Sequence, residues 1–497
     1  MKIRPALILT ALASSQLQSP IFDETSNKPS SYEYQYHRQP PPLIVEYRNR
    51  ARNMVCRFKE KMGCPGISVC VSLSGNIIYQ EGIGYANVEH MVPVKADTVF
   101  RIASISKPFT SLLVGRLLDQ GKLDLDEDIR TYLPEFPEKM VDNKYAKITI
   151  RTLLNHTSGI RSYKKNTDKN KELDYPEMLS NVRFEDTMNA CDMFKNDPLV
   201  HTPGVQFTYS TFAFTLLSAV IEKVCLLKGD LFERSSPTVK MELNTSDNDN
   251  KGNKGKKSNN LPKWARFDTH LSRLFQYLSL SNTSLEYPEE ITSSRAGQYR
   301  RSEKGVLTNT PTIDNSYKWA GGGILSTAID LVRFADHLAF IYMGWLDSYG
   351  IVKRSTLSQL WEVSCVPPDQ KTLPGLGWFL ARRSGDPATV KTDYPDRLFA
   401  LHTGGAVGGT TVLLISVPLL KDEVKHLNST KINSSIENDN AKNIDRKYPT
   451  DIRLKSADIP PISVAILTNL ENVSGISGLA IQLSELFLDY ALQELVD

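Results

Sequence analysis

The chain has 497 residues, a formal net charge of +3 and 23% charged residues. That balance leaves no electrostatic footprint for nucleic acid or for a polybasic membrane surface. Length and a 40% hydrophobic content allow a large core, and no run of 18 apolar residues marks a transmembrane helix. Six cysteines (Cys56, Cys64, Cys70, Cys191, Cys225 and Cys365), with no CxxC pair, argue against a disulfide scaffold, a zinc site or dithiol redox chemistry.

Residues 1–22 carry Lys2 and Arg4, a short apolar run from Ala6 to Ala13, and no acid before Asp23. A secretory signal, an organelle transit segment and a plain disordered terminus all fit that pattern. Six Asn-x-Ser/Thr sequons do not decide between them. The Ser-, Tyr-, Gln- and Pro-rich stretch to Pro40-Pro41-Pro42 reads as an extended linker, so residues 1–42 are expected to be a targeting segment and linker.

From Leu43 the spacing of Ile44, Tyr47, Ala51, Val55 and Phe58 predicts an amphipathic helix that stops at Gly63 and Pro65. Ile67–Leu73 and Ile77–Gln80 read as strands joined by a tight turn at Gly75-Asn76. Phe109, Leu112, Leu113, Leu117 and Leu118 form a second helical stripe that Gly121 ends. A short helix is expected within Thr149–His156, strands at Thr410–Val417 and Ser463–Leu467, and a long closing helix at Ile476–Val496. Strands with a flanking helix at both ends predict an α+β fold. One antiparallel sheet is built from both halves of the chain and covered by the terminal helices, with a helical subdomain from the middle. Three polar stretches, at about 164–175, 228–260 and 421–451, cannot bury enough apolar surface to offset their ordering entropy and read as surface insertions in a domain spanning 43–495.

The sharpest local feature is Ser104-Ile105-Ser106-Lys107, a Ser-x-x-Lys at the start of the second helix. Positions i and i+3 share a helix face. A lysine there can lower the cost of deprotonating the serine, and a helix N-terminus adds positive potential. Pro108 fits only if the helix begins near Ser104, where backbone N–H groups have no intrahelical partner. Taken alone, a capping serine beside a solvated lysine looks the same.

The flanking sequence resembles the serine β-lactamase and penicillin-binding-protein-like family, which includes class C β-lactamases and DD-peptidases. Pro65-Gly66-Ile67, Gly82-Ile83-Gly84-Tyr85-Ala86, Asp97-Thr98-Val99-Phe100-Arg101, Gly121-Lys122-Leu123-Asp124-Leu125 and Leu153-Leu154-Asn155-His156-Thr157-Ser158-Gly159 carry the likeness. Phe194–Leu199, Lys318-Trp319-Ala320-Gly321-Gly322-Gly323 and His402–Gly408 look like the animal mitochondrial branch of that family. The resemblance implies a β-lactamase/transpeptidase-like fold over about residues 43–495, apart from the insertions. It implies Ser104 as nucleophile, Lys107 and Tyr209 as its proton carriers, and an oxyanion hole from the Ser104 and Gly405 backbone. Tyr209-Ser210-Thr211 stands where the family often has Tyr-x-Asn, so Thr211 offers a hydroxyl where the family offers an amide. Gly404 and Gly405, in His402-Thr403-Gly404-Gly405, would let substrate approach the backbone, and His402 would face a substrate carboxylate or the Tyr209 site. His156 reads as part of a structural turn, and the Trp319–Gly323 glycines as lining the cleft or packing on the helical region.

The resemblance further implies peptide hydrolysis on a peptide or small acyl substrate in the mitochondrial intermembrane space, with a link to lipid metabolism, membrane proximity, and a homo-oligomer or filament. It implies no metal and no organic cofactor, and no His-x-His-x-Asp-His cluster is present for a metallo-enzyme. A filament-forming scaffold without catalysis and a secreted esterase or amidase are the competing readings.

Overall fold

The computed structural model describes residues 42–164, 175–232, 261–346, 349–365, 373–383, 396–419 and 459–496. The N-terminal segment 1–41 and most of the three polar insertions lie outside them. The chain divides into a unit Met1–Pro42 and a unit Leu43–Asp497, and the second holds the fold.

The first helix, α1 (Pro42–Met62), leads into β1 (Gly66–Leu73) and β2 (Asn76–Asn87), followed by the short β3 (Val92–Pro93). The turn between β1 and β2 is Ser74-Gly75, one residue earlier than the sequence suggests. Both residues have positive φ, 50° and 82°, as a two-residue turn matched to strand twist requires. Gly75 therefore fills the second central position, not the first. β4 (Phe100–Arg101) precedes a tight turn at Ala103–Ile105 and then α2 (Ser106–Asp119). The middle of the chain is mainly helical, as expected. Its long members are α3 (Thr211–Lys228) and α4 (Phe267–Tyr277). β5 (Ser284–Leu285), β6 (Ile324–Ser326) and α5 (Ala328–Tyr342) lead back to the sheet. β7 (Leu373–Pro374), β8 (Phe379–Arg383), β9 (Arg397–Ala406), β10 (Gly409–Pro418) and β11 (Ile462–Thr468) then precede the closing helix α6 (Ile476–Val496).

The main sheet has eight strands in the order β7-β8-β9-β10-β11-β1-β2-β3, all adjacent pairs antiparallel. β11 pairs with β1 from Ile67↔Thr468 to Leu73↔Ile462, so the two ends of the domain meet in its centre. Strand alternation then assigns the two faces. Val69, Val71, Val464 and Ile466 pack with Ile44, Tyr47, Ala51 and Val55 of α1 and Leu479, Leu483 and Phe487 of α6. Cys70, Leu413, Ala465 and Leu467 face the opposite way, into a larger cluster with α2, α3 and α5. Both faces of β11 are covered, which is why its sequence is a nearly unbroken apolar run. In the second cluster Phe109 stacks on Phe334 with ring centroids 4.0 Å apart and meets Phe275 edge-on at 5.5 Å. These rings pin α2 against α5 and α4. Among the described residues no helix is long and apolar enough to cross a membrane.

One buried ion pair fixes the approach to α2. Arg101 Nε donates to both Glu286 carboxylate oxygens, at 2.8 and 2.9 Å, and its Nη1 donates to the Val407 carbonyl at 2.7 Å. Arg295 and Asn315 bind the same carboxylate, and both charged partners of the central pair are almost fully buried. Ile102 N donates to Ile324 O at 3.0 Å, and Thr411 Oγ1 donates to Ile102 O at 3.0 Å. The backbone just before Ser104 is thus tied to β6 and β10 and to the residues that follow β5 and β9. Glu286→Gln leaves buried guanidinium charge unpaired and should lower stability by about 3–5 kcal/mol. Equilibrium urea unfolding measures this, and a loss below about 1 kcal/mol would contradict the clamp.

Candidate active site

Ser104 sits in the tight turn at Ala103–Ile105, immediately before α2. Ala103 holds φ +50°, a left-handed conformation that costs an ordinary residue about 1–2 kcal/mol. Three bonds hold it. Ser106 Oγ donates to Ala103 O at 2.7 Å, Ile105 N donates to Ile102 O at 3.2 Å, and Ile324 N donates to Ser106 Oγ at 3.3 Å. The helix begins at Ser106, two residues later than a start at Ser104 would give. The serine stands at its mouth, half-buried.

Lys107 is completely buried. Its Nζ lies 3.0 Å from Ser104 Oγ and donates to Gly321 O at 2.7 Å. It also sits over the rings of Tyr209 and Phe214, 4.8 and 5.3 Å from their centroids. No described carboxylate forms an ion pair with it. Burial, with the Lys318 charge adding to it, holds its pKa well below the usual lysine range. A neutral amine has one lone pair. With one N–H on Gly321 O, that lone pair is available to the Ser104 proton across the 3.0 Å gap.

Tyr209 OH donates to Ser104 Oγ at 2.8 Å. Burial pushes the phenol pKa upward, so the residue acts as a phenol donor, and a standing phenolate is not what this site favours. Its ring lies 4.3 Å from the His156 ring and stacks at 6.5 Å on Phe379. His156 accepts from Ser210 N through Nδ1 at 3.2 Å and is kept neutral by burial. It belongs to the wall behind Tyr209, in keeping with its expected structural role. Ser210 caps α3 by accepting from Ala213 N at 3.2 Å, and Thr211 opens that helix. The Tyr163 hydroxyl, pushed up to about 12 by burial, is hydrogen-bonded to Thr211 and Tyr317. Thr211 therefore meets Tyr163 and not Lys107.

The strand residues divide differently from their sequence-based roles. His402 is buried, its Nδ1 is 2.7 Å from Thr403 O, and its ring packs at 5.2 Å on Phe379. Burial lowers its pKa to about 3. It is a neutral imidazole and offers no charge to a substrate carboxylate. A Cβ on Gly404 would run into Ile102 O and come within 3.0 Å of the Ala103 Cβ. That glycine lets β9 approach the Ser104 turn, so the contact it permits is between chain segments. Gly405 has nothing within 4 Å of where its Cβ would be and lines, with Ser104, Thr211 and Gly321, a solvent-open groove of about 360 Å³.

Three contributors carry roles at the site that the sequence reading did not give them. Gly321 supplies the carbonyl that orients Lys107, and the neighbouring Ala320 O accepts from Thr110 Oγ1 at 2.8 Å, one turn further along α2. Tyr163 and Lys318 line the groove. The Ala-Gly-Gly-Gly run was the available signal. Its glycines, expected to line the cleft or to pack, do both, as a helical turn at Trp319–Gly322. Among the described residues no three His, Cys, Asp or Glu side chains cluster as a metal site would need.

Comparison with known proteins decides the family. The model of the Beta-lactamase family matches residues 51–235 and 265–473. The chain belongs to the beta-lactamase family. Over 431 residues it is 31% identical to the Homo sapiens protein named serine beta-lactamase-like protein LACTB, mitochondrial, covering 73% of this chain and 71% of that one. The Mus musculus protein of the same name is 31% identical over 454 residues, 76% and 75% of the two chains. Among solved structures, EstCE1, a hydrolase with promiscuous acyltransferase activity, superposes with a TM-score of 0.57 at 18% identity, covering 90% of this chain and 99% of that one. A point mutant of a class C beta-lactamase gives 0.56 at 15% identity, covering 91% and 100%. These structural likenesses carry the β-lactamase/penicillin-binding-protein fold, and the family membership carries serine-hydrolase chemistry.

Tyr209→Phe keeps the stacked ring and removes only the donor. It should slow reaction of Ser104 with a fluorophosphonate by about 10²–10⁴-fold. An unchanged labelling rate, followed by intact mass, would exclude a part for the phenol in proton transfer.

Proposed function

We propose that the protein is a serine hydrolase of the peptidase type that works through an acyl-enzyme on Ser104. The carrying observation is that Ser104 Oγ lies 3.0 Å from Lys107 Nζ and 2.8 Å from Tyr209 OH at the mouth of a groove. In this reading neutral Lys107 takes the Ser104 proton as Oγ attacks the substrate carbonyl. The N–H groups of Ser104 and Gly405 stabilise the tetrahedral oxyanion. Tyr209 gives its proton to the leaving group, and the proton on Lys107 replaces it. Water then adds to the ester with Lys107 accepting its proton, the C–Oγ bond breaks as Lys107 returns that proton to Ser104 Oγ, and the acid product leaves with serine and neutral lysine restored. The step needs no group beyond the chain and water.

The resemblance to the mitochondrial LACTB proteins supports a mitochondrial location, in the intermembrane space, with residues 1–42 as targeting segment and linker. It likewise favours a peptide over a β-lactam as substrate, a role connected with lipid metabolism, and self-assembly into oligomers or filaments close to a membrane.

Ser104→Ala should lose the fluorophosphonate adduct that wild type forms, and should lose hydrolysis of a peptide anilide panel while keeping its fold by circular dichroism. An adduct on both proteins, or on neither while both are folded, would remove the hydrolase reading and leave a scaffold. Hydrolysis of simple esters with no turnover of any peptide anilide would replace peptidase with esterase.

A further inference from the structure

Lys318 lines the same groove as Ser104 and is only 7% exposed. Among the described residues its Nζ makes one hydrogen bond, to Met178 O at 3.3 Å, and it lies over the rings of Tyr317 and Tyr163, at 4.9 and 6.0 Å. No described carboxylate pairs with it. Glu286, the acid whose field reaches it, is already taken by Arg101, Arg295 and Asn315. Burial, with Arg101 adding to it, brings its pKa down to about 7. Lys107 is a second buried amine in the same place, equally without a counter-ion. The groove lining includes no Asp or Glu, and His402 is neutral. A charged amine buried without an anion is costly. Among the described residues none offers Lys318 a free carboxylate, so an anion for it would have to come with the substrate.

We propose that Lys318 is a specificity-determining residue that binds a carboxylate carried by the substrate close to its scissile carbonyl, so that anionic substrates are preferred over neutral ones of the same length. The inference rests on Ser104 being the nucleophile. A carboxylate accepts from the unused N–H donors of Lys318 and makes the charged amine the stable form. A neutral chain of the same shape leaves the amine as it is.

The carboxylate can sit on the acyl part or on the leaving part, and matched amides separate the two. Glutaryl anilide against pentanoyl anilide tests the acyl side, and pentanoyl p-aminobenzoate against pentanoyl anilide tests the leaving side. In one of the two pairs wild type should favour the anion in kcat/KM by a factor on the order of tenfold to a hundredfold. Lys318→Met should bring that ratio close to one, and Lys318→Arg should retain most of it. As a check that needs no variant, glutarate should slow fluorophosphonate labelling of wild type more than pentanamide does at equal concentration. Ratios that are the same in wild type and Lys318→Met for both pairs, or equal protection by glutarate and pentanamide, overturn the proposal. If Ser104 labels normally in that case, only the role of Lys318 falls. If wild type does not label at all, the nucleophile and this inference fall together.

Discussion

The structure around Ser104 depends on burying the amine of Lys107 with no described carboxylate beside it. An ammonium moved out of water costs several kcal/mol in a protein even after relaxation, and a neutral amine far less. Burial of the site favours the second state. One carbonyl, Gly321 O, and two aromatic faces receive the Nζ, which is enough for an amine and too little for a fixed positive charge. A lysine whose folded pKa is lowered binds fewer protons folded than unfolded, between the lowered value and the ordinary ~10.4. Stability therefore rises with pH across that window, and the site costs stability at neutral pH. The rest of the fold has to absorb this, and the packed Phe109, Phe334 and Phe275 rings on α2, α5 and α4 contribute to it.

A few residues away the opposite solution is used. Arg101 and Glu286 are as buried as Lys107, yet they form an ion pair and are multiply bonded. The contrast separates two jobs. The paired charges fix where the backbone of Ile102 and Ala103 lies relative to β9, and the unpaired amine beside it is left free to change protonation. A paired Lys107 would have its pKa raised and could not accept a proton from serine. The frame needs a carboxylate, and Lys107 has to be kept from pairing with one.

Much of the fold was legible because its elements are long and strictly periodic. The helices at Pro42–Met62 and Ile476–Val496 and the strands of the central sheet follow apolar spacing. The pairing of β1 with β11 follows from matched apolar runs at opposite ends of the domain. The Ser-x-x-Lys pair was legible because one helical turn brings i and i+3 together. What was not legible is tertiary. The role of Gly321 is a carbonyl, which no side-chain pattern reveals. His402 looks identical in sequence whether it faces a groove or a phenylalanine, and burial against Phe379 decides that it stays neutral. Gly404 looks like room for substrate and is room for the Ser104 turn. The hairpin turn lies one residue from its expected place because which glycine position a turn needs depends on strand register.

The central claim is that Lys107 is a neutral base at neutral pH, and the pH dependence of Ser104 labelling by an uncharged fluorophosphonate tests it most directly. The account predicts a rate that reaches its plateau well below the ordinary lysine pKa of ~10.4, with Tyr209 still protonated across the range. A rate that keeps climbing with a midpoint near ~10.4 would mean that Lys107 is an ammonium at neutral pH, and the account would be wrong.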